Sequence, residues 1–161
     1  MPRSSHRSKN LVALLYKPPP GPRQVLAMSR ADAERLPAIP TVAVISITAP
    51  ERPTAKLSDF RNVLRLSFSD VDHLNPAIST RAREKLASAF TLRQAEEIRA
   101  FVESLPTSIE SIVVHCEGGY SRSCAVALGL HRLYGYQVDI EAMTHANPSV
   151  VRLITTLHTG M

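Results

Sequence analysis

Cysteine is scarce in this sequence, with two in 161 residues, and tryptophan is missing altogether. Two thiols, Cys116 and Cys124, can close at most one bridge, so a small disulfide-framed secreted domain is excluded. Long apolar runs are missing too. None approaches the roughly 18 residues that cross a bilayer. Leu11 to Tyr16 is too short for the apolar centre of a signal peptide, and Lys17-Pro18-Pro19-Pro20 interrupts it. No internal repeat is found. These absences lead to the expectation of a soluble protein of a reducing compartment, cytoplasmic, with no membrane contact.

What is present suffices for one domain. Apolar residues make up 44% of the chain, enough for a core, and charged residues 20%. The net charge of +5 and pI near 9.6 favour anionic partners without choosing among them. Residues 1–23 read as a basic, Pro-rich tail, because Lys17 to Arg23 carries four of the twelve prolines. Residues 24–161 read as the functional domain. Within it strands and helices alternate. Strands are expected at Gln24–Met28, Thr41–Ile47, Val63–Phe68 and Ile112–His115. Helices are expected at Arg30–Leu36, Thr80–Phe90, after the capping-box signature Thr91-Leu92-Arg93-Gln94, over Ser123–Tyr134, and from Asn147-Pro148 to about His158. The pattern implies an α/β fold, a single domain with a mainly parallel central sheet flanked by helices.

The most informative segment is Val113-Val114-His115-Cys116-Glu117-Gly118-Gly119-Tyr120-Ser121-Arg122-Ser123. An apolar strand ends in a cysteine, and an arginine follows six positions on. This spacing lets one loop enclose a tetrahedral dianion, with the thiolate as nucleophile. Gly118 and Gly119 let backbone amides converge on the anion. The amides of Glu117, Tyr120 and Ser121 complete the cradle, and Tyr120 shapes its rim. Arg122 offers a planar fork that matches two phosphate oxygens. The helix starting near Ser123 points its free amides and positive dipole end at the loop. Ser123 reads as a hydroxyl donor to the sulfur, as a helix N-cap, or as both. His115 reads either as a brace for loop carbonyls or as a satisfied histidine at a strand end. Cys124 reads as a core residue, with redox partnership to Cys116 as the alternative.

His115-Cys116-Glu117-Gly118-Gly119-Tyr120-Ser121-Arg122-Ser123 resembles the signature of the cysteine-dependent protein tyrosine phosphatases, most of all the dual-specificity group. The resemblance implies phosphate ester hydrolysis through a cysteinyl-phosphate on Cys116, with no metal and no cofactor. It also implies a general acid, an aspartate on a separate mobile loop after an upstream strand. Here Ser69-Asp70-Val71-Asp72-His73 follows Val63–Phe68, so Asp70 is the expected acid and Asp72 the next candidate. The same residues are ordinary turn chemistry, and Asp59 and Glu84 stay open. The stretch between Asp70 and Cys116 is longer than usual for that group. The missing tryptophan removes the Trp-Pro-Asp motif of the large receptor-type enzymes.

The expected substrate is a phosphorylated protein, on phosphotyrosine and also on phosphoserine or phosphothreonine, with the enzyme a monomer. Two alternatives are carried. One is a non-protein substrate, a phosphoinositide or an RNA 5′ phosphate. The acidic Glu117 and the lack of a loop lysine count against it. The other is a phosphate-binding module without turnover. Asp70, Asp72 and His73 lack the spaced partners of a metal site, and nucleic acid is not indicated. Arg81, Arg83, Lys85, Arg93 and Arg99 read as a solvated helix face that could guide acidic substrates.

Overall fold

Val42 to Thr48 is apolar or β-branched at nearly every position and buried at every position, the pattern of a strand covered on both faces. In a computed structural model, which describes residues 10–159, it is β2 of a four-stranded parallel sheet. The others are β1 (Gln24–Ser29), β3 (Val63–Ser67) and β4 (Ser111–Cys116), in the order β1-β4-β2-β3. The last strand in sequence is thus inserted between the first two. Ser111 pairs with Gln24 on one side and Val42 on the other, and Cys116 stands opposite Ser29.

Alternation along the inner strands sorts the core into two layers. Ala43, Ile45, Ile47, Ile112 and Val114 face helices α4 (Leu92–Glu103), α5 (Arg122–Tyr134) and α6 (Pro148–Thr159). Val42, Val44 and Val113 face the opposite side, with Leu15, Ala33 and Leu36. The α/β reading of a single domain with a parallel sheet between helices therefore holds.

Three elements differ from expectation. Residues 10–16, inside the expected tail, form a helix, α1. Leu15 is only 1% exposed and joins the second core layer, a burial that stabilises by about 1.5–3 kcal/mol. Gln24 Nε2 also donates to Leu14 O and Ser111 Oγ, tying α1 to the sheet. The prolines after Tyr16 end this helix without preventing it. Residues 1–9 of the expected tail lie outside the described residues.

The single helix expected over Thr80–Phe90 is two pieces, α3 (Thr80–Arg83) and a 3₁₀ turn at Leu86–Ser88. A bridge between Ser69 and Ala89 draws the chain into extended form there. Another 3₁₀ turn, Ile140–Met143, has no counterpart in the sequence pattern. The short α2 (Arg30–Glu34) follows β1 directly, capped by Ser29 Oγ accepting from the amide of Asp32. The Thr91–Gln94 capping box opens α4, and Gly135, at φ 71°, closes α5. Among the described residues no helix is long and apolar enough to cross a membrane.

Candidate active site

Parallel sheets present ligand sites beyond the carboxyl ends of their strands, and β4 delivers Cys116 there. The chain then curls over the end of β1. Gly119 has φ 82°, and a Cβ at this position would lie 2.6 Å from Met28 C and Ser29 N. Only glycine allows the loop to rest on that backbone. Its amide donates to Cys116 Sγ at 3.2 Å. Ser123 Oγ is 3.1 Å from the same sulfur. With a thiol the S–H donates; with a thiolate the hydroxyl does. Ser123 lies in the first turn of α5 rather than at its N-cap, which is Ser121. Both cysteines are buried, and Cys124 Sγ donates to the carbonyls of Gly119 and Ala142.

Arg122 is buried at the head of α5. Its Nη1 donates to Phe68 O at 3.0 Å, while its Nε is buried without a partner among the described residues. A buried donor of this kind lowers its free energy by meeting an anion. Phe68, packed 4.7 Å from the Phe90 ring, thus anchors both the arginine and the start of the loop after β3.

In that loop Ser69 is bonded to Ser88, and Asp70 turns toward the cysteine loop. Asp70 Oδ1 accepts from Ser121 Oγ at 2.8 Å and from Asn147 Nδ2 at 2.9 Å. Asp72 points elsewhere and accepts from Ser149 Oγ on α6. A cleft of about 340 Å³ opens between the two loops. Asp70, Glu117 and Arg122 line it, with Ser69, Ala49, Glu51, Arg52 and Lys85. Asp72, Asp59 and Glu84 do not line it. Among the described residues no three potential metal ligands cluster.

Two crystal structures, one of PTPMT1 and one of PTPMT1 in complex with PI(5)P, are similar to this chain. Identity is 19% in each, TM-scores are 0.47 and 0.48, and 85% of this chain and 90% and 91% of theirs are covered. No family model matches the sequence, and no curated protein does.

The remaining expected residues fall around the same point. His115 is fully buried and stands opposite Ser46 in the β2–β4 register. Its Nδ1 is 3.3 Å from Cys116 O, which can only accept, so Nδ1 carries the hydrogen. Nε2 then accepts from Ser46 Oγ at 2.6 Å. Burial holds the imidazole below its ordinary pKa, against the opposing pull of the Cys116 carbonyl, so the ring is the neutral form this pair of bonds requires. Tyr120 is 61% exposed, and its ring covers Gly118, where a Cβ would come within 3.0 Å of it.

Glu117 bonds through its carboxylate to Arg30 at 3.1 Å and Arg52 at 3.4 Å, and through its carbonyl to the amide of Arg30. The acid that would repel a phosphate is therefore paired with two cations. Arg30 also donates to Glu34 and to the carbonyls of Pro53 and Thr54, pinning the loop after β2 beside the site.

Sequence reasoning missed Arg30, Arg52 and Asn147. Lys85 stands out in the sequence only as part of a basic stretch, of which it alone lines the cleft. No local signal marks Arg30 or Arg52. The Asn-Pro pair does mark Asn147, but only as a helix start.

Proposed function

We propose that this protein hydrolyses phosphate monoesters through a cysteinyl-phosphate. The observation that carries the proposal is the convergence of three groups on one loop. Cys116 opens it, its sulfur contacted by a loop amide and a hydroxyl. Arg122 closes it with a buried donor that has no partner among the described residues. The Asp70 carboxyl meets it from a separate segment through Ser121, and Asp70 and Arg122 line the same cleft. In the first step the Cys116 thiolate forms an S–P bond as the P–O ester bond breaks. Asp70, in its protonated form, gives its proton to the departing oxygen. Loop amides and Arg122 hold the equatorial oxygens where charge gathers. In the second step water attacks phosphorus, Asp70 takes its proton, and the S–P bond breaks to release phosphate and regenerate the thiolate. Ser123 donates to the sulfur as it leaves. Glu117, Gly118, Gly119, Tyr120 and Ser121 contribute backbone amides.

Lys85 at the mouth supplies a cation beyond the loop, which favours an ester carrying a second anionic group, as in a phosphoinositide headgroup. The pairing of Glu117 with Arg30 and Arg52 removes the main objection to such a substrate. The second reading is phosphotyrosine on a protein. The exposed Tyr120 ring favours it, as a face on which a substrate phenyl group could pack.

The test is release of phosphate by wild type and Cys116→Ser from PI(5)P, soluble inositol phosphates and a phosphotyrosine peptide. Turnover by wild type alone, with radiolabelled phosphate trapped on Cys116, is the expected result. Binding of these compounds with equal hydrolysis by both proteins would leave a binding module without turnover. The ratio of rates between inositol lipid and peptide decides the substrate class.

A further inference from the structure

Asn147 is a helix N-cap, and its Oδ1 accepts from the amides of Ser149 at 3.0 Å and Val150 at 3.3 Å. Capping needs nothing more than this oxygen, and serine or aspartate would serve as well. Yet the other end of the same amide is also engaged. Asn147 Nδ2 donates to Asp70 Oδ1 at 2.9 Å and to Val71 O at 3.1 Å, and the Asn147 backbone amide donates to Ser121 O at 3.2 Å. The side chain is only 4% exposed. Its orientation follows from its partners. A flip would set oxygen against carboxylate and N–H against N–H. Two residues on, Ser149 Oγ donates to Asp72 and accepts from the amide of Leu74 at 3.0 Å. The first turn of α6 therefore grips the segment from Asp70 to Leu74 at both ends.

We propose that Asn147 is a positioning residue for the general acid, a role that rests on the reading of Asp70 given above. Asp70 Oδ1 receives two hydrogen bonds, from Asn147 and Ser121. An oxygen that accepts two donors is the poorer place for a proton, so the transferable proton sits on Oδ2. Asn147 thereby fixes both where the carboxyl stands and which of its oxygens is the acid. Ser121 supplies the second donor, coupling the acid to the loop that holds the phosphoryl group.

The test separates proton delivery from general integrity by leaving group. 4-Nitrophenyl phosphate releases an acidic phenol that departs with little help; phenyl phosphate does not. Asn147→Asp keeps the capping oxygen but replaces the donor with a second carboxylate against Asp70. Asn147→Ala removes both. The readout is kcat/KM, which covers the steps through loss of the leaving group and leaves out the shared hydrolysis of the cysteinyl-phosphate. The expected result is a fall in kcat/KM of about 10-fold or more on phenyl phosphate, part of the typical 10²–10⁴-fold acid contribution, with less than about 3-fold change on the nitrophenyl ester. Asp70→Asn should show the same selectivity, and Asp70→Asn/Asn147→Asp should be no slower than Asp70→Asn alone. Equal losses on both esters, or losses that multiply in the double variant, would overturn the proposal. Should Asn147→Ala fail to fold, Asn147→Asp decides the question by itself, with its melting temperature as the check on the cap. Failure of the underlying reading looks different. It shows as hydrolysis surviving Cys116→Ser, or as no leaving-group effect in Asp70→Asn, and either result overturns the proposal with it.

Discussion

The site joins two loops built on opposite plans. The cysteine loop, Cys116 to Arg122, is held mostly by its own chain and by the elements it directly connects. Gly119 donates to Cys116, Cys116 contacts Ser123, and α5 begins where the loop ends. The acid loop, Ser69 to Leu74, owes its position to residues far along the chain. Its anchors are Ser88, Ser121, Asn147 and Ser149. The first keeps the contacts to its sulfur within one strand–helix junction, while Gly119 rests on β1 and Glu117 and Arg122 reach Arg30, Arg52 and Phe68. The second exists only once α6 has packed on α5, with Gly129 against Ile154. One site therefore combines a part that is intrinsically preorganised with a part that is assembled.

The largest effect should come from breaking the assembled half at its centre. Asp70→Asn should lower kcat on a poor leaving group by about 10²–10⁴-fold. Asp72→Asn should leave the chemistry nearly intact, since Asp72 is bonded to Ser149 and does not line the cleft. Rates measured on phenyl phosphate check both. A larger loss in Asp72→Asn than in Asp70→Asn would reverse the assignment and with it the contrast between the loops.

The same contrast explains what could be read from the sequence. The cysteine loop is legible because its chemistry lies in a few consecutive residues, and spacing alone carries the geometry. The sheet is legible for a similar reason. Runs such as Val42–Thr48 have only one way to be buried, although the insertion of β4 between β1 and β2 is a matter of tertiary packing. Asp70 ranks above Asp72 by position after β3, but the atoms that hold it come from α5 and α6. Arg30 and Arg52 reach Glu117 from other segments, which nothing around position 117 foretells. The helix at 10–16 is hidden by the prolines behind it, which outweigh the apolar Leu11 and Leu15 in a reading of composition.

A smaller effect should follow from straining the local half. In Gly119→Ala a Cβ would meet the backbone of Met28 and Ser29 at 2.6 Å, on a residue with φ 82°. The left-handed conformation and the overpacking together should cost about 2–4 kcal/mol. That loss would appear as a lower melting temperature. Because Gly119 also donates to Cys116, activity on both leaving groups should fall together. A selective loss on phenyl phosphate would mean that the two loops are not separable in the way proposed.

The smallest expected effect concerns His115, which braces the local half from beneath. Burial lowers its pKa from the ordinary 6.5, so the folded protein resists the proton that the unfolded chain accepts. Above about pH 7.5, well over the ordinary value, the histidine is neutral in both states and contributes no pH dependence. As pH falls from there toward the lowered folded value, the unfolded state binds more protons, and stability declines. Protonation would also oblige Nε2 to donate where it now accepts from Ser46. Melting temperatures of wild type should therefore fall between about pH 7.5 and 5.5 more than those of His115→Asn. Asparagine can still donate to a carbonyl but does not titrate. Parallel curves for the two proteins would mean that the imidazole takes up its proton without disturbing the loop, and that the brace is one of packing alone.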